Sequence, residues 1–395
     1  MKILYLSHKI PYPPNRGGKI RPFYVISHLA KQHSVVVACL LESKNEFEYI
    51  EPLQKICAGV HAVLLPTIKS ILKTPWYLFT NKPFTLPYFY SPKLKKIIDD
   101  LLKKDSFDLI LVHSSSMAQY VIDYTGILKI MDFVDVDSDK WRQYSTYTKF
   151  PFSLIYHLEW LRLKKYEVAI AKSFNHCILI SKFEEEILKE YINNDQIPIS
   201  TISNGVDFEY FKPITQPYEP NTLILTGKMN YLPNVDGALY FYYNILPLIR
   251  EKIPDVKFYI VGVNPTKAIQ KLGKDKNVIV TGYVKDIRPY LQKASVCIVP
   301  LRIARGVQNK VLEAMAMALP VVTTSKSFEG INATANQDLF VEDNPHEFAK
   351  RTIELLKNAE LRNKVSLNAR KKVIETHNWS VNVQQFDEII KKHTH

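Results

Sequence analysis

The residues best suited to chemistry in this 395-residue chain lie between Pro300 and Pro320. A β-branched run ends at Pro300, Arg305 and Gly306 open a turn, and apolar residues at helical spacing follow from Val311. The first amides of such a helix, around Gly306, Val307 and Gln308, have no carbonyl partner within it and point outward. Joined by the cations of Arg305 and Lys310, they form a cradle suited to a diphosphate. Glu313 lies one helical turn beyond, where a carboxylate can accept hydrogen bonds from a ribose diol. Met315 and Met317 read as core.

A second candidate anion site follows the first apolar run of the chain. Arg16, Gly17, Gly18 and Lys19 stand just ahead of a helical pattern, with Arg21 inside it. Paired glycines let the backbone approach a bound group closely, and the basic side chains add charge, although the same glycines serve equally as turn geometry alone. The segment is not G-x-G-x-x-G and no other segment supplies that pattern, which argues against a dinucleotide oxidoreductase. His113 stands directly after the run 109–112, and Asp132, Asp135, Asp137 and Asp139 cluster at and after the run 127–133. These acids are acceptor-side groups or the caps of a loop.

The elements that must position these groups alternate. Short β-branched runs separated by longer helical patterns predict parallel sheets covered by helices. One series of strands is expected at 3–7, 34–40, 60–65, 109–112, 127–133 and 176–180, a second at 223–226, 256–261, 278–281, 296–300, 321–324 and 339–341. Between them lie Asn204-Gly-Val-Asp207 and Pro213, Pro217 and Pro220, a proline-bearing connection typical of a domain boundary. Two doubly wound α/β domains follow, 1–204 and 205–377, with a cleft between them and a last helix in 378–395 that packs back toward the first. In such sheets ligands bind beyond the carboxyl ends of the strands, where the candidate residues fall.

Composition narrows the class. Hydrophobic residues make up 46% and charged residues 23%, ordinary for a globular enzyme, which excludes disorder and collagen. Cys39, Cys57, Cys177 and Cys297 form no C-x-x-C pair, so neither a disulfide framework nor a thiolate zinc site is written here, and a reducing, cytoplasmic setting is expected. No apolar run is long enough to span a bilayer. Net charge is +13, and residues 1–104 alone carry 16 basic and 6 acidic side chains, so the excess is a patch suited to anionic lipid, nucleic acid or a phosphorylated substrate. The lysine-flanked helical pattern at 93–104 reads as a surface helix with one face on a core, in preference to a membrane-lying one. The aromatic and proline-rich stretch 75–90 suits a headgroup region or a loop folded over a core. Nucleic acid is the weaker partner, because the aromatics form no single-strand motif.

At this point the chain resembles a known family. Gly306-x-x-Asn-Lys-x-Leu-Glu-Ala-Met-Ala316 followed by Pro320-Val-Val322, with Asn204-Gly-Val-Asp207 and Gly227-x-x-x-Tyr-x-Pro-Asn-x-Asp-Gly237 upstream, looks like the retaining glycosyltransferases of family 4. Asp132-Phe-Val-Asp-Val-Asp-Ser-Asp-Lys-Trp141 and Ser114-Ser-Ser-Met-Ala-Gln-Tyr120 look closest to the sugar transferases of bacterial exopolysaccharide and PEP-CTERM clusters. The resemblance implies a GT-B fold and an enzyme that moves a sugar, with retention, from a nucleotide diphosphate sugar to a glycan or lipid-linked acceptor in cell-surface polysaccharide synthesis.

Family roles carry over residue by residue. Glu313 matches the second of two family glutamates eight positions apart, and Arg305 stands where the first would fall, a departure that lets a guanidinium grip the diphosphate. Gly227 and Lys228 match a phosphate-contacting turn, with Asn234 in place of a second lysine. Gly282, Tyr283 and Val284 match a loop that holds the nucleobase through its backbone, and His113 matches a histidine near the reacting sugar. Asp135 and Asp137 have the spacing of a metal-binding pair in GT-A enzymes, but here they precede the diphosphate cradle by a whole domain, so no metal and no cofactor are expected beyond the donor substrate. Arg305, Lys310 and Lys228 then stabilise the departing diphosphate, with His113 near the sugar or acceptor. A UDP-sugar is expected over a GDP-sugar, and a cytoplasmic protein with peripheral contact at the inner face of an anionic membrane. Rival readings are a GT-B sugar-nucleotide epimerase and a non-enzymatic basic membrane-binding module.

Overall fold

The computed structural model describes residues 1–15, 17–65, 80–193, 197–213 and 218–394. It divides into two units, Met1–Ser203 with Ser380–His395, and Asn204–Trp379. Each is one parallel sheet clad by helices, so the expected α/β architecture holds in both.

In the first unit the strands are β1 (Lys2–Ser7), β2 (Ser34–Leu41), β3 (Gly59–Leu64), β4 (Leu109–His113), β5 (Leu128–Val134), β6 (His176–Leu179) and β7 (Ile199–Thr201). They lie in the order β3-β2-β1-β4-β5-β6-β7, all parallel. The order turns around between β1 and β4, and a doubly wound sheet leaves its crevice at the carboxyl ends there. Registration aligns Ser7 with His113 and His113 with Asp132, so three polar side chains stand side by side near the carboxyl ends of three adjacent strands. Leu4, Leu6, Val36, Ala38, Ile110 and Val112 alternate along β1, β2 and β4 and build the core on one face.

The second unit holds β8 (Thr222–Thr226), β9 (Lys257–Val261), β10 (Val278–Gly282), β11 (Val296–Val299), β12 (Val321–Thr323) and β13 (Phe340–Val341). Their order, β10-β9-β8-β11-β12-β13, repeats the first and reverses between β8 and β11. Leu223, Leu225, Phe258, Ile260 and Ile298 meet Phe241 and Phe348 from the covering helices, and the Phe241 and Phe258 rings lie 4.9 Å apart.

Three details differ from the sequence reading or refine it. β7 was not foreseen, because three residues after Pro198 are too short to show a period. The chain end forms two helices, Trp379–Asn382 and Gln384–Thr394, not one. Phe386, Ile389 and Ile390 of the second are buried, and its Asp387 meets His28 at 2.7 Å within the first unit. The helix Pro92–Lys104 buries Leu94 and Ile98 and packs Ile97, Leu101 and Leu102 on the core, the surface-helix alternative. Of the 75–90 stretch and the proline linker, residues 75–79 and Pro217 lie outside the described residues, while Tyr88 and Phe89 pack on the core.

Candidate functional site

The second unit assembles its candidate residues on the loops after β8, β10 and β11. β8 ends in Thr226, and the chain continues through Gly227 and the exposed Lys228 into the helix Leu232–Tyr240. Asn234, buried in the first turn of that helix, donates its amide to the Lys228 carbonyl at 3.0 Å. Its own carbonyl oxygen accepts a hydrogen bond from Lys310 Nζ. The position expected to carry a second lysine therefore holds an amide that bridges two loops. It ties the β8 loop to the helix Asn309–Ala316 and fixes the direction of the Lys310 ammonium. The loop after β9 closes the other side: Gly227 N donates to Val261 O and Met229 N to Val263 O. At Gly262, with φ of +153°, a Cβ would stand 1.7 Å from the Gly227 carbonyl oxygen, so only glycine fits there.

β11 ends at Val299, and the turn to the helix Asn309–Ala316 passes Gly306 in the left-handed region, φ +58°. Val307 is buried, whereas Arg305, Gly306, Gln308 and Lys310 are partly exposed. Gln308 precedes the helix as its cap residue without capping it by its side chain. Its side-chain amide instead donates to the Arg305 carbonyl at 2.8 Å, which closes the turn and leaves the helix-start amides uncovered by that side chain. Asn309 Oδ1 accepts from Asn204 Nδ2 at 3.4 Å, joining the Asn204–Asp207 segment to the same helix start.

The charges on this helix are held away from their ordinary values. Burial pushes the Lys310 ammonium down to about 8, with Cys297 and Glu313 pulling it back up. Burial likewise pushes the Glu313 carboxyl up to about 7, opposed by Lys310. A cation and an acid that both titrate close to neutrality, one helical turn apart, are placed to respond to a charged ligand. Beyond β10, which lies outside β9 in the sheet, Gly282 takes φ of +69° and Tyr283 is 75% exposed, so the Gly282–Val284 backbone forms an open turn.

The first unit gathers a different set. His113 is buried at the end of β4, and its Nδ1 lies 3.0 Å from Asp132 Oδ2. Asp132 is wholly buried and takes a forked pair of hydrogen bonds from Arg21, whose Nη1 donates to the Ile202 carbonyl at 2.7 Å. Despite its burial Asp132 is held down at about 2, chiefly by Arg21 and then by His113. The carboxylate thus fixes the His113 ring and its tautomer, with Nδ1–H donated to Asp132 and Nε2 left for another partner. His8 lies parallel to His113 at 5.7 Å, and burial first, then His113, lowers its basicity well below normal.

The sequence reading of Lys19 needs correction. Its ammonium is buried, paired with Glu46 at 2.7 Å and reaching the Tyr12 carbonyl, so its charge is already compensated instead of standing ready for an anion. Nothing in residues 1–21 showed that partner. Arg16 lies outside the described residues, and Gly17 and Gly18 open the helix Gly17–Leu29. Asp137 accepts from Ser115 Oγ at 2.9 Å and pairs with Lys140 at 3.2 Å, which makes it a tie between loops. Asp135 precedes it in the same turn, where Val136 N donates to Glu184. Sequence reasoning also missed Arg21 as the partner of Asp132, a contact spanning 111 positions.

Residues 220–358 match the family described as Glycosyl transferases group 1, a span that includes both Asn234 and the Lys310–Glu313 helix. An uncharacterised 44.6 kDa protein in the cps region of Klebsiella pneumoniae is 22% identical over 389 residues, covering 93% of this chain and 94% of that protein. A UDP-Gal:alpha-D-GlcNAc-diphosphoundecaprenol alpha-1,3-galactosyltransferase of Escherichia coli is 26% identical over 243 residues, 57% of this chain and 59% of that protein. The solved structure of a sucrose-phosphate synthase from Thermosynechococcus elongatus superimposes with a TM-score of 0.73 at 13% identity, covering 100% of this chain and 99% of that one. The whole chain thus has a GT-B type fold of two Rossmann-like units, and these matches support an enzyme of the glycosyltransferase class.

Proposed function

We propose that the chain transfers a sugar from a nucleotide diphosphate sugar to a glycan or lipid-linked acceptor in cell-surface polysaccharide synthesis, with retention of anomeric configuration. One observation carries the reading: the family match spans the strand–helix turn at 306–313, where Lys310, tied through Asn234 to the β8 loop, and Glu313 stand one helical turn apart. That arrangement suits a diphosphate beside a ribose. The relative that uses UDP-galactose and a diphosphate-linked lipid favours a UDP-sugar donor and a lipid-linked acceptor.

In this reading the anomeric C–O bond breaks while negative charge grows on the departing diphosphate. Lys310, Lys228 and Arg305, with the helix-start amides near Gly306 to Gln308, stabilise that charge without a metal. Glu313 accepts from the ribose hydroxyls, the Gly282–Val284 backbone receives the base, and His113 positions the transferred sugar or the acceptor. Screening UDP-, GDP- and ADP-sugars by thermal shift tests the donor, since a ligand bound only to the folded state raises its melting temperature. Turnover of the best donor should then survive chelation by EDTA and fall steeply in Glu313→Ala and Arg305→Ala. Unchanged turnover in both variants refutes the assignment.

A further inference from the structure

The first unit carries an apolar tip that the transfer chemistry does not use. The helix Asp137–Tyr147 ends there, and the helix Phe152–Ser173 begins after Lys149, Phe150 and Pro151. Phe150 is 79% exposed, Phe152 58%, and Tyr147 and Leu154 each 52%. Isolated exposed apolar side chains are ordinary, but four large ones within eight residues form a patch that water disfavours.

The tip is held outward from beneath. Tyr156 lies 5.3 Å from Trp141, 5.9 Å from Tyr144 and 6.5 Å from Phe152, ring to ring, so an aromatic layer joins the two helices at its base. Ser138 at the start of one helix is hydrogen-bonded through its amide and hydroxyl to the buried Glu167 of the other. Pinned at both levels, the pair presents these side chains to solvent.

The charge around the tip has one sign. Residues 140–165 contain Lys140, Arg142, Lys149, Arg162, Lys164 and Lys165 against a single acid, Glu159. Glu159 is buried and occupied by the amides of Phe84 and Thr85. Asp137 and Asp139 offset Lys140 and Arg142, and Arg162, Lys164 and Lys165 lie further down the second helix, which leaves Lys149 as the exposed cation beside the aromatic surface, with no acid in residues 143–158. Aromatic side chains next to lysines match the chemistry of a bilayer interface, where rings sit at headgroup depth and cations meet anionic phosphates. No described helix is long and apolar enough to cross a membrane, so contact of this kind lies on the surface.

We infer that the 147–154 tip docks the protein on an anionic lipid bilayer, with Phe150, Phe152 and Leu154 entering the interface and Lys149 facing the headgroups. This deepens the lipid-linked acceptor reading, on which its biological purpose rests. It also places the contact away from the lysine-rich helix Pro92–Lys104, whose apolar face is spent on the core.

Flotation of the full chain with vesicles of phosphatidylcholine, alone or mixed with phosphatidylglycerol, tests the inference. The chain should float with the mixed vesicles and not with the neutral ones. A triple variant, Phe150→Ser, Phe152→Ser and Leu154→Ser, should lose that binding by at least about tenfold while its melting temperature stays within a few degrees, because the side chains removed are exposed. Lys149→Ala should weaken binding to mixed vesicles by roughly fivefold. Transfer to a water-soluble acceptor should be unchanged in all of these variants. Loss of that soluble activity in the wild type would strike the proposed reaction, not the docking. Equal flotation of wild type and triple variant overturns the docking. So does a wild-type dimer that the triple variant turns into a monomer with no change in vesicle binding, which would assign the patch to a protein interface.

Discussion

Raising the pH through the titration of Lys310 should weaken donor binding with a definite slope. Burial holds this ammonium at about 8, within reach of mild alkali, whereas an exposed lysine keeps its charge far above that. One pH unit higher, only about a tenth of the free protein still carries the cation. If the diphosphate requires it, the dissociation constant rises about tenfold per unit, ~1.4 kcal/mol, from about pH 8 upward. The sign follows from linkage: a diphosphate favours the charged lysine, so binding raises its pKa and takes up a proton in that window, while affinity is flat just below it. Titration calorimetry in two buffers of different ionisation heat measures both affinity and proton uptake. Lys310→Met, which keeps the chain length and removes the charge, should bind weakly and show neither the slope nor the uptake. A slope shared by wild type and variant, or no proton uptake by the wild type at alkaline pH, refutes the role given to Lys310.

Four further outcomes follow. Glu313, held up at about 7, accepts from ribose hydroxyls more strongly when ionised, so donor affinity should also fall below neutrality, and Glu313→Gln should abolish this acid limb in the same calorimetric series. Glu167 is wholly buried and pushed up to about 8, so the stability it lends is present below its ordinary value near 4.5 and is lost as pH rises through about 8. Glu167→Gln should be more stable than wild type above pH 8, by up to about 5 kcal/mol in denaturant titration, and gain nothing at about pH 4.5. Arg21→Ala leaves Asp132 buried and unpaired and removes the guanidinium 5.5 Å from the Phe386 ring, so urea unfolding should show a loss of about 3–5 kcal/mol, and amide exchange in 384–394 should accelerate. Gly262→Ala drives a methyl into the Gly227 carbonyl, and circular dichroism should show the second unit melting well below wild type.

Much of the sheet architecture was open to inference because central parallel strands are continuous apolar runs. Residues 34–41 and 296–299 need no partner to announce themselves. The turn at Gly306 was legible for a related reason, since strand, glycine and helix follow one another within a dozen residues. What escaped were contacts made by distant residues. Lys19 looked like a ligand cation until Glu46, 27 positions on, was seen to neutralise it. Asn234 looked like a lost lysine, and only folding shows it bracing Lys310 across 76 positions. The apolar tip was invisible for the opposite reason: Phe150, Phe152 and Leu154 have the composition of a core, and no local pattern distinguishes a buried ring from one left in water.

The central claim is that the second unit, through the turns at 227–234, 282–284 and 306–313, holds the nucleotide half of the donor. Photo-crosslinking with a UDP analogue activatable on its base, followed by peptide mapping, asks this directly. The account predicts label on the peptide containing Tyr283, competed by unlabelled UDP-sugar and lost in Glu313→Ala. Competed label confined to residues 1–203 contradicts it.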